Sequence, residues 1–379
     1  MPTYKAPGVY VEEVSTGARP IMAVGTSTAA FFGKAPSDAH LRQPRRITNW
    51  TAFRREFVPE EDEDGAIGNT LAAAVAGFFL NGGTVLYVIN LGEDGDQITA
   101  DDLGLIAAVD GISLVAAPGY TDADSIGAIL DDCEKRRDRF AVLDAERTVD
   151  QITDWAKLQA KGGARPRTSD MGAGAVYVPW ITVTDPLGKD RMTVPPSGHL
   201  CGAYAQTDGT RGVHKAPANL VLRGVSNVDR ALSQADQADL NPHGVNCIRS
   251  FDSGIRVWGA RTLAPETSEC RYVPVRRLVT MISQSIQRGT EWVVFEPNDL
   301  TLWKSLRRDI GSFLHLLWQD GALMGATPEE AYFVKCDIET TTQDHIDRGE
   351  VVAVIGIAPV KPAEFVIIQI GQTTAGVPD

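Results

Sequence analysis

The chain has 379 residues, 43% of them hydrophobic and 22% charged, with a formal net charge of −13. Those proportions describe a globular protein with a sizeable core, and the length predicts two or three domains. The acidic balance argues against a general nucleic-acid binder, and the longest apolar stretch, Leu71–Leu80, is too short to span a bilayer.

The first residues, MPTYKAPGVYVEE, lack a basic region followed by an apolar run, so no signal peptide is predicted. The protein is expected to be made in the cytosol and to leave by lysis or as part of a particle. Cys133, Cys201, Cys247, Cys270 and Cys336 are far apart and form no CxxC. They read as free thiols of a reducing compartment.

Residues 1–20 are polar and punctuated by Pro2, Pro7, Gly8, Gly17 and Pro20. Within them, Gly8–Val14 has strand propensity and little to bury against locally. Residues 21–90 read as a compact α/β unit. Met22–Phe32 is apolar and small, and Ile47–Phe57 mixes aromatics with arginines. An acidic loop fills 59–65, and Leu71–Leu80 is a helix stopped by Asn81-Gly82-Gly83. Thr84–Asn90 is a strand.

From 91 to 260 strand and helix signals alternate. Strands are expected at Ile112–Ala116, Phe140–Leu143 and Val176–Val183, helices at Asp124–Arg136 and Val149–Ala160, and a loop at Lys161–Gly174. This alternation predicts an α/β domain with a largely parallel sheet.

Two amphipathic helices follow. Val275, Leu278, Val279, Ile282 and Ile286 share one face, and Gly289 ends that helix. Trp303, Leu306, Ile310, Phe313, Leu314 and Leu317 share another, with Asn298 as the expected N-cap. Glu291–Glu296 reads as a short strand between them. Three apolar runs close the chain: Ala331–Cys336, Val351–Ala358 and Phe365–Ile370. From Arg271 to Arg308 there are seven Lys or Arg against three Asp or Glu. Lys304, Arg308 and His315 lie near one helical line, with Arg307 adjacent and Gly311 in the line. Alone, such a stripe is an ordinary solvated helix face.

Conventional catalytic patterns are missing. Gly33-Lys34 is preceded by Thr28 where a P-loop needs Gly, and Ala35 stands where Ser or Thr would hold magnesium. Gly172-Ala173-Gly174 has Tyr177 in place of a third Gly, so no dinucleotide fingerprint is formed. No H-E-x-x-H, zinc spacing or EF-hand occurs, and no cofactor or metal is expected. The nearest approach to a G-x-S-x-G elbow, Gly25 to Ala29, ends in Ala. Ser197 and Ser253 with His199, His214 and His243 are the triad candidates; their histidines read as solvated or core-satisfying.

Several runs in fixed order resemble the contractile tail sheath family. They are V-R-R-L at 275–278, W-x-V-F-E-P-N from Trp292 to Asn298, F-L-x-x-L-W from Phe313 to Trp318 and G-A-L-x-G at 321–325. They continue in F-V-K-C-D at 333–337, I-G-I-A-P-V at 355–360 and P-A-E-F-V at 362–366. Upstream, Y-x-x-P-G-V-Y-V-E-E near the start, R-G-V-H-K-A-P-A-N at 211–219, G-V-N-x-I-R at 244–249 and V-W-G-A-R-T-L at 257–263 fit as well. The resemblance covers nearly the whole chain and is thinnest from 91 to 175.

The resemblance implies an α/β (α+β) fold in two nested parts. An inner assembly domain would join 21–90 with 262–360, and an outer, subtilisin-like α/β domain would occupy 91–261. Arms would span 1–20 and 361–379. It implies a structural subunit, not an enzyme, that polymerises with itself as stacked rings around an inner tube protein. Baseplate and terminal cap proteins are the other expected partners, without direct nucleic-acid contact or membrane insertion. The alternative is a subtilisin-like hydrolase or a nucleotide-using enzyme. Val9, Tyr10, Val11, Phe365, Val366 and Ile368 would be intersubunit arm strands, and Lys304, Arg307 and Arg308 would contact the inner tube.

Overall fold

Short apolar runs with little polar alternation make the central strands, as they must when both faces of a sheet are covered. The computed structural model describes residues 20–59, 66–93 and 95–365. They fall into a larger unit, 24–281 with the chain from 359, and a smaller one, 282–358 with the chain up to 23. The larger unit contains β1 (Ala29–Gly33), β2 (Arg45–Ile47), β3 (Leu86–Asn90), β4 (Leu114–Ala116), β5 (Phe140–Asp144) and β6 (Gly174–Val178). Its later strands are β7 (Ile181–Thr184), β8 (Arg191–Val194), β9 (Leu220–Val221), β10 (Val225–Val228), β11 (Val245–Phe251) and β12 (Gly254–Trp258).

Nine of these form one sheet in the order β2-β3-β1-β4-β5-β6-β11-β12-β9. From β3 to β11 the neighbours are parallel. β2 at one edge, and β12 with β9 at the other, are antiparallel. Alternate side chains enter different cores. Phe31, Phe140 and Val142 join one cluster, and Ala30, Phe32, Ala141 and Leu143 join the other. β7 is the middle strand of a separate antiparallel sheet, β10-β7-β8.

The helices of this unit are α1 (Trp50–Phe57), α2 (Thr70–Leu80), α3 (Ala100–Gly104), α4 (Ala123–Arg136), α5 (Ser197–Arg211) and α6 (Gln234–Leu240). α1, α2 and α5 fill the first core, and α3 and α4 the second, giving layers on both faces. α2 and α5 pack backbone to backbone. A Cβ on Gly198 would stand 2.6 Å from the backbone of Ala74.

The smaller unit holds the end of α7 (Val273–Gly289), which crosses the unit boundary, then α8 (Leu300–Gln319), α9 (Pro328–Ala331), β13 (Tyr332–Lys335), α10 (Gln343–Asp347) and β14 (Val354–Ile357). β13 and β14 pair antiparallel, and among the described residues neither has a second neighbour.

Several expectations differ from this structure. Most of the 21–90 segment expected in the inner domain, residues 24–90, lies in one compact unit with 91–261. β1 pairs with both β3 and β4, so this segment supplies the sheet shared with 91–261, and the compact division falls at 281/282. The helix expected at Val149–Ala160 is two 3-10 turns, Ile152–Ala156 and Gln159–Lys161. Val176–Val183 is two strands, because Pro179 has no N–H for a ladder and separates β6 from β7. Glu291–Glu296 is not a strand. With no partner strand at hand its backbone closes on itself, Val293 N–H to Thr290 C=O at 3.0 Å and Glu296 N–H to Val293 C=O at 3.1 Å. α5 was not expected, because Gly198, Gly202 and Gly209 break its helical pattern.

Candidate functional site

V-R-R-L at 275–278 has a physical basis. Arg277 on α7 is buried and donates Nη1 to Asp208 Oδ1 at 2.9 Å and Nη2 to Oδ2 at 2.5 Å. Nη2 also reaches the Thr26 carbonyl at 2.8 Å. The Thr26 hydroxyl donates to Asp208 Oδ2 at 2.6 Å, and the guanidinium lies 4.9 Å from the Tyr204 ring centroid. Tyr204 and Tyr177 share a hydrogen bond of 2.6 Å. A buried pair so fully hydrogen-bonded fixes the first half of α7 on the larger unit.

In the smaller unit, α8 is amphipathic as expected. Trp303, Leu306, Ile310, Phe313 and Leu314 are buried, and Lys304, Arg307 and Arg308 are exposed. Arg308 donates Nε to the buried Asp309 at 3.0 Å. The N-cap is Asp299 and not Asn298. Asp299 accepts from the Thr301 and Leu302 N–H groups at 2.9 and 2.8 Å. Asn298 instead accepts from Trp303 Nε1 at 2.8 Å and donates to the Glu350 carbonyl at 3.0 Å. In the helix interior, a Cβ on Gly311 would meet nothing within 4 Å. His315 is engaged with Tyr332 and Gln319.

The segments leading to both chain ends are held down. Gly289, at the end of α7, faces Ile21: a Cβ there would lie 2.7 Å from the Ile21 side chain. Near the other end, Arg261 Nε donates to Glu364 Oε1 at 2.9 Å, and Arg261 Nη1 to the Asn241 carbonyl at the same distance. Lys361 pairs with Glu269 at 3.0 Å. Arg261 belongs to V-W-G-A-R-T-L and Glu364 to P-A-E-F-V, so two motifs meet in one ion pair. Phe365 is exposed. Val9, Tyr10, Val11, Val366 and Ile368 lie outside the described residues.

The serine and histidine candidates do not converge. Ser197 is buried at the start of α5, whose N-cap, Pro196, has no side-chain acceptor. Asp144, at the end of β5, takes that role. It accepts from Ser197 N–H at 2.9 Å, Ser197 Oγ at 2.6 Å and Gly119 N–H at 3.3 Å. His199 is buried with Nδ1 lacking a hydrogen-bond partner. Its ring faces Gly77, where a Cβ would lie 2.2 Å from Cε1, and burial pulls its pKa down to about 4. Ser253 accepts from Arg256 Nε at 3.2 Å. The His243 carbonyl accepts from Arg165, and its ring is on the exposed surface.

Burial pushes the Asp144 carboxyl up to about 6 from an ordinary 3.8, against the bonds from Ser197 and Gly119. The folded state therefore holds this proton more tightly than the unfolded chain. The resulting stability is fully present below the unfolded pKa and is lost as pH rises through about 6. Going from about pH 4 to about pH 7.5, the wild type should lose on the order of 3 kcal/mol relative to Asp144→Asn. Urea unfolding of both proteins at the two pH values measures this; a gap independent of pH would contradict it.

The chain matches the phage tail sheath protein central domain over residues 99–263 and the phage tail sheath C-terminal domain over 266–373. It is 31% identical to the chain in a PVC sheath complex, an extracellular contractile injection system in its contracted state. That match covers 98% of this chain and 99% of the other with a TM-score of 0.81. The chain belongs to the contractile tail sheath family. The contracted helical sheath of the anti-feeding prophage is 34% identical, with 98% and 100% covered and a TM-score of 0.79. A prophage major tail sheath protein of Pseudomonas aeruginosa is 25% identical over 284 residues, 71% of this sheath chain and 69% of that protein. The tail sheath protein of Enterobacteria phage T4 is 26% identical over 250 residues, 64% of this chain but only 37% of its own length. This sheath subunit thus shares its full length with the injection-particle sheaths, and the alignment spans a minor part of the phage T4 protein. The matches give no support to the hydrolase or nucleotide-enzyme alternative.

Proposed function

We propose that this subunit polymerises as stacked rings around an inner tube and that contraction of the polymer drives the tube through a target envelope. The observation that carries the reading is the full-length likeness to subunits of contracted sheaths. Each subunit moves as a nearly rigid body, and the rearrangement lies between subunits. The extended polymer is a kinetically trapped state, and the contracted one gains contact. Heterologous contacts continue as a helix and do not close into a dimer.

The arms keep neighbours joined through that movement. Among the described residues β13 and β14 each have an open edge, and residues around Val9–Val11 and Phe365–Ile368 of neighbouring subunits add to them by backbone hydrogen bonding. The inner part of the subunit includes the smaller unit, with Lys304, Arg307 and Arg308 of α8 against an acidic tube wall. Assembly takes place in the cytosol, and a baseplate and a terminal cap close the two ends. Electron microscopy of the purified protein tests the reading: tubes or cogwheels support it, and discrete monomers with hydrolytic activity refute it.

Exposed ion pairs contribute only about 0–1 kcal/mol each, so the α8 contacts are individually weak and repeat in every subunit. They hold the extended sheath in register and release together. The triple variant Lys304→Glu, Arg307→Glu, Arg308→Glu should stay folded, with a melting temperature lowered by the loss of the Arg308–Asp309 pair. Its sheath should form without a tube or contract early, as seen by electron microscopy. Normal extended particles from the triple variant would exclude the tube contact.

A further inference from the structure

The loop between α7 and α8 holds a side chain that the described residues leave uncovered. Phe295 is completely exposed and has a φ of +69°. That backbone region is easy for glycine and strained for a bulky side chain. Neither water nor the local backbone therefore favours a phenylalanine here. Val294 beside it is 64% exposed, and Leu300, the first residue of α8, 62%.

Leu300, Lys304 and Arg308 recur every fourth residue and so lie on one line of the helix. The line extends about 12 Å from Leu300 to Arg308. Phe295 is five residues before Leu300, within about 18 Å along the chain. Farther along the same face is Gly311. A helix-interior glycine weakens the helix, and no side chain or backbone of the described residues fills the space that its missing Cβ leaves. An outside surface that approaches closely accounts for both features.

We propose that Phe295 is an apolar anchor for the inner tube, inserted into a socket on the tube wall whose acidic rim faces Lys304, Arg307 and Arg308. This rests on the reading that α8 faces the tube. One partner surface covers ring and cations, because the loop runs directly into the helix that carries them. A large aromatic at the centre of such a patch, ringed by polar groups, is the usual composition of an energetic hot spot. The cations give the attachment its salt dependence, and the ring gives it a component that salt does not screen.

The test uses Phe295→Gly, which removes the ring and relieves the backbone. Full-length subunit is mixed with preformed tubes of the tube protein encoded beside it, and bound protein is measured by co-sedimentation at low and high salt. The expected result is an unchanged or raised melting temperature with tube binding at least about tenfold weaker at both salt concentrations. Phe295→Trp should retain binding. If Phe295→Gly binds tubes like the wild type while the triple charge reversal does not, the anchor is refuted and the tube contact of α8 stands. If both variants bind like the wild type, the tube contact itself fails, and the anchor with it. A fall in melting temperature would mean that the ring packs within its own subunit. Loss of tube-free polymerisation would assign it to a second copy of this chain. Either result overturns the proposal.

Discussion

Arg277→Met should destabilise the subunit by about 3–5 kcal/mol, the usual cost of stranding a buried charge. The substitution would leave the Asp208 carboxylate, whose side chain is only 4% exposed, with only the Thr26 hydroxyl, at 2.6 Å, remaining of this network. It would also remove the cation from the face of Tyr204, 4.9 Å away. For a unit of this size, that corresponds to a fall in melting temperature on the order of 10 °C. Arg277→Lys should recover only part, because an ammonium cannot bond both carboxylate oxygens in parallel or stack on the ring. Arg277→Met combined with Asp208→Leu should recover most of the loss, since two apolar groups leave no unpaired charge. Denaturant melts of the two single variants and the double form a cycle whose coupling energy measures the pair. A loss below about 1 kcal/mol in Arg277→Met would show that the network does not hold α7.

Deleting residues 1–15 should leave a soluble, folded subunit that forms no sheath. Ile21, which packs against the Gly289 position of α7, remains in the truncated chain, so the melting temperature should stay within a degree or two of the wild type. Under the strand exchange proposed above, what disappears is the segment that a neighbour would add to the edge of β13 or β14. Backbone hydrogen bonds repeated in every subunit would then be lost, and the effect on polymerisation should be all or none. Electron microscopy and sedimentation of the truncated protein read the outcome directly. Ordinary polymerisation would refute strand exchange through the N-terminal arm. Supplying the missing segment as a free peptide should not restore long polymers, because a peptide fills the edge without linking two subunits.

Local pattern by itself determined much of this protein. Helical spacing put Trp303, Leu306, Ile310 and Phe313 on the inward face of α8 and left Lys304, Arg307 and Arg308 outward, as the structure has them. A 3.6-residue period needs no knowledge of what the helix packs against. Short apolar runs likewise located β3, β4 and β5, and the ordered motifs of the last hundred residues carried the family. The arm residues Val9, Tyr10, Val11, Val366 and Ile368 remain a reading of sequence.

Only the tertiary structure decided the partners. Arg277 meets Asp208 across 69 residues and Arg261 meets Glu364 across 103. Nothing in the spacing of either charge indicates its mate, because long-range pairing depends on where the chain returns and not on local periodicity. Sheet order is of the same kind. β1 lies between β3 and β4, which drew residues 24–90 into the larger unit, although as a string they read as a unit of their own. α5 escaped notice because its glycines, poor for an isolated helix, allow its close approach to α2 at Ala74. Phe295 looked like part of a strand until the fold left it uncovered among the described residues. A side chain's burial is a property of the surrounding three-dimensional packing, and no window of sequence contains it.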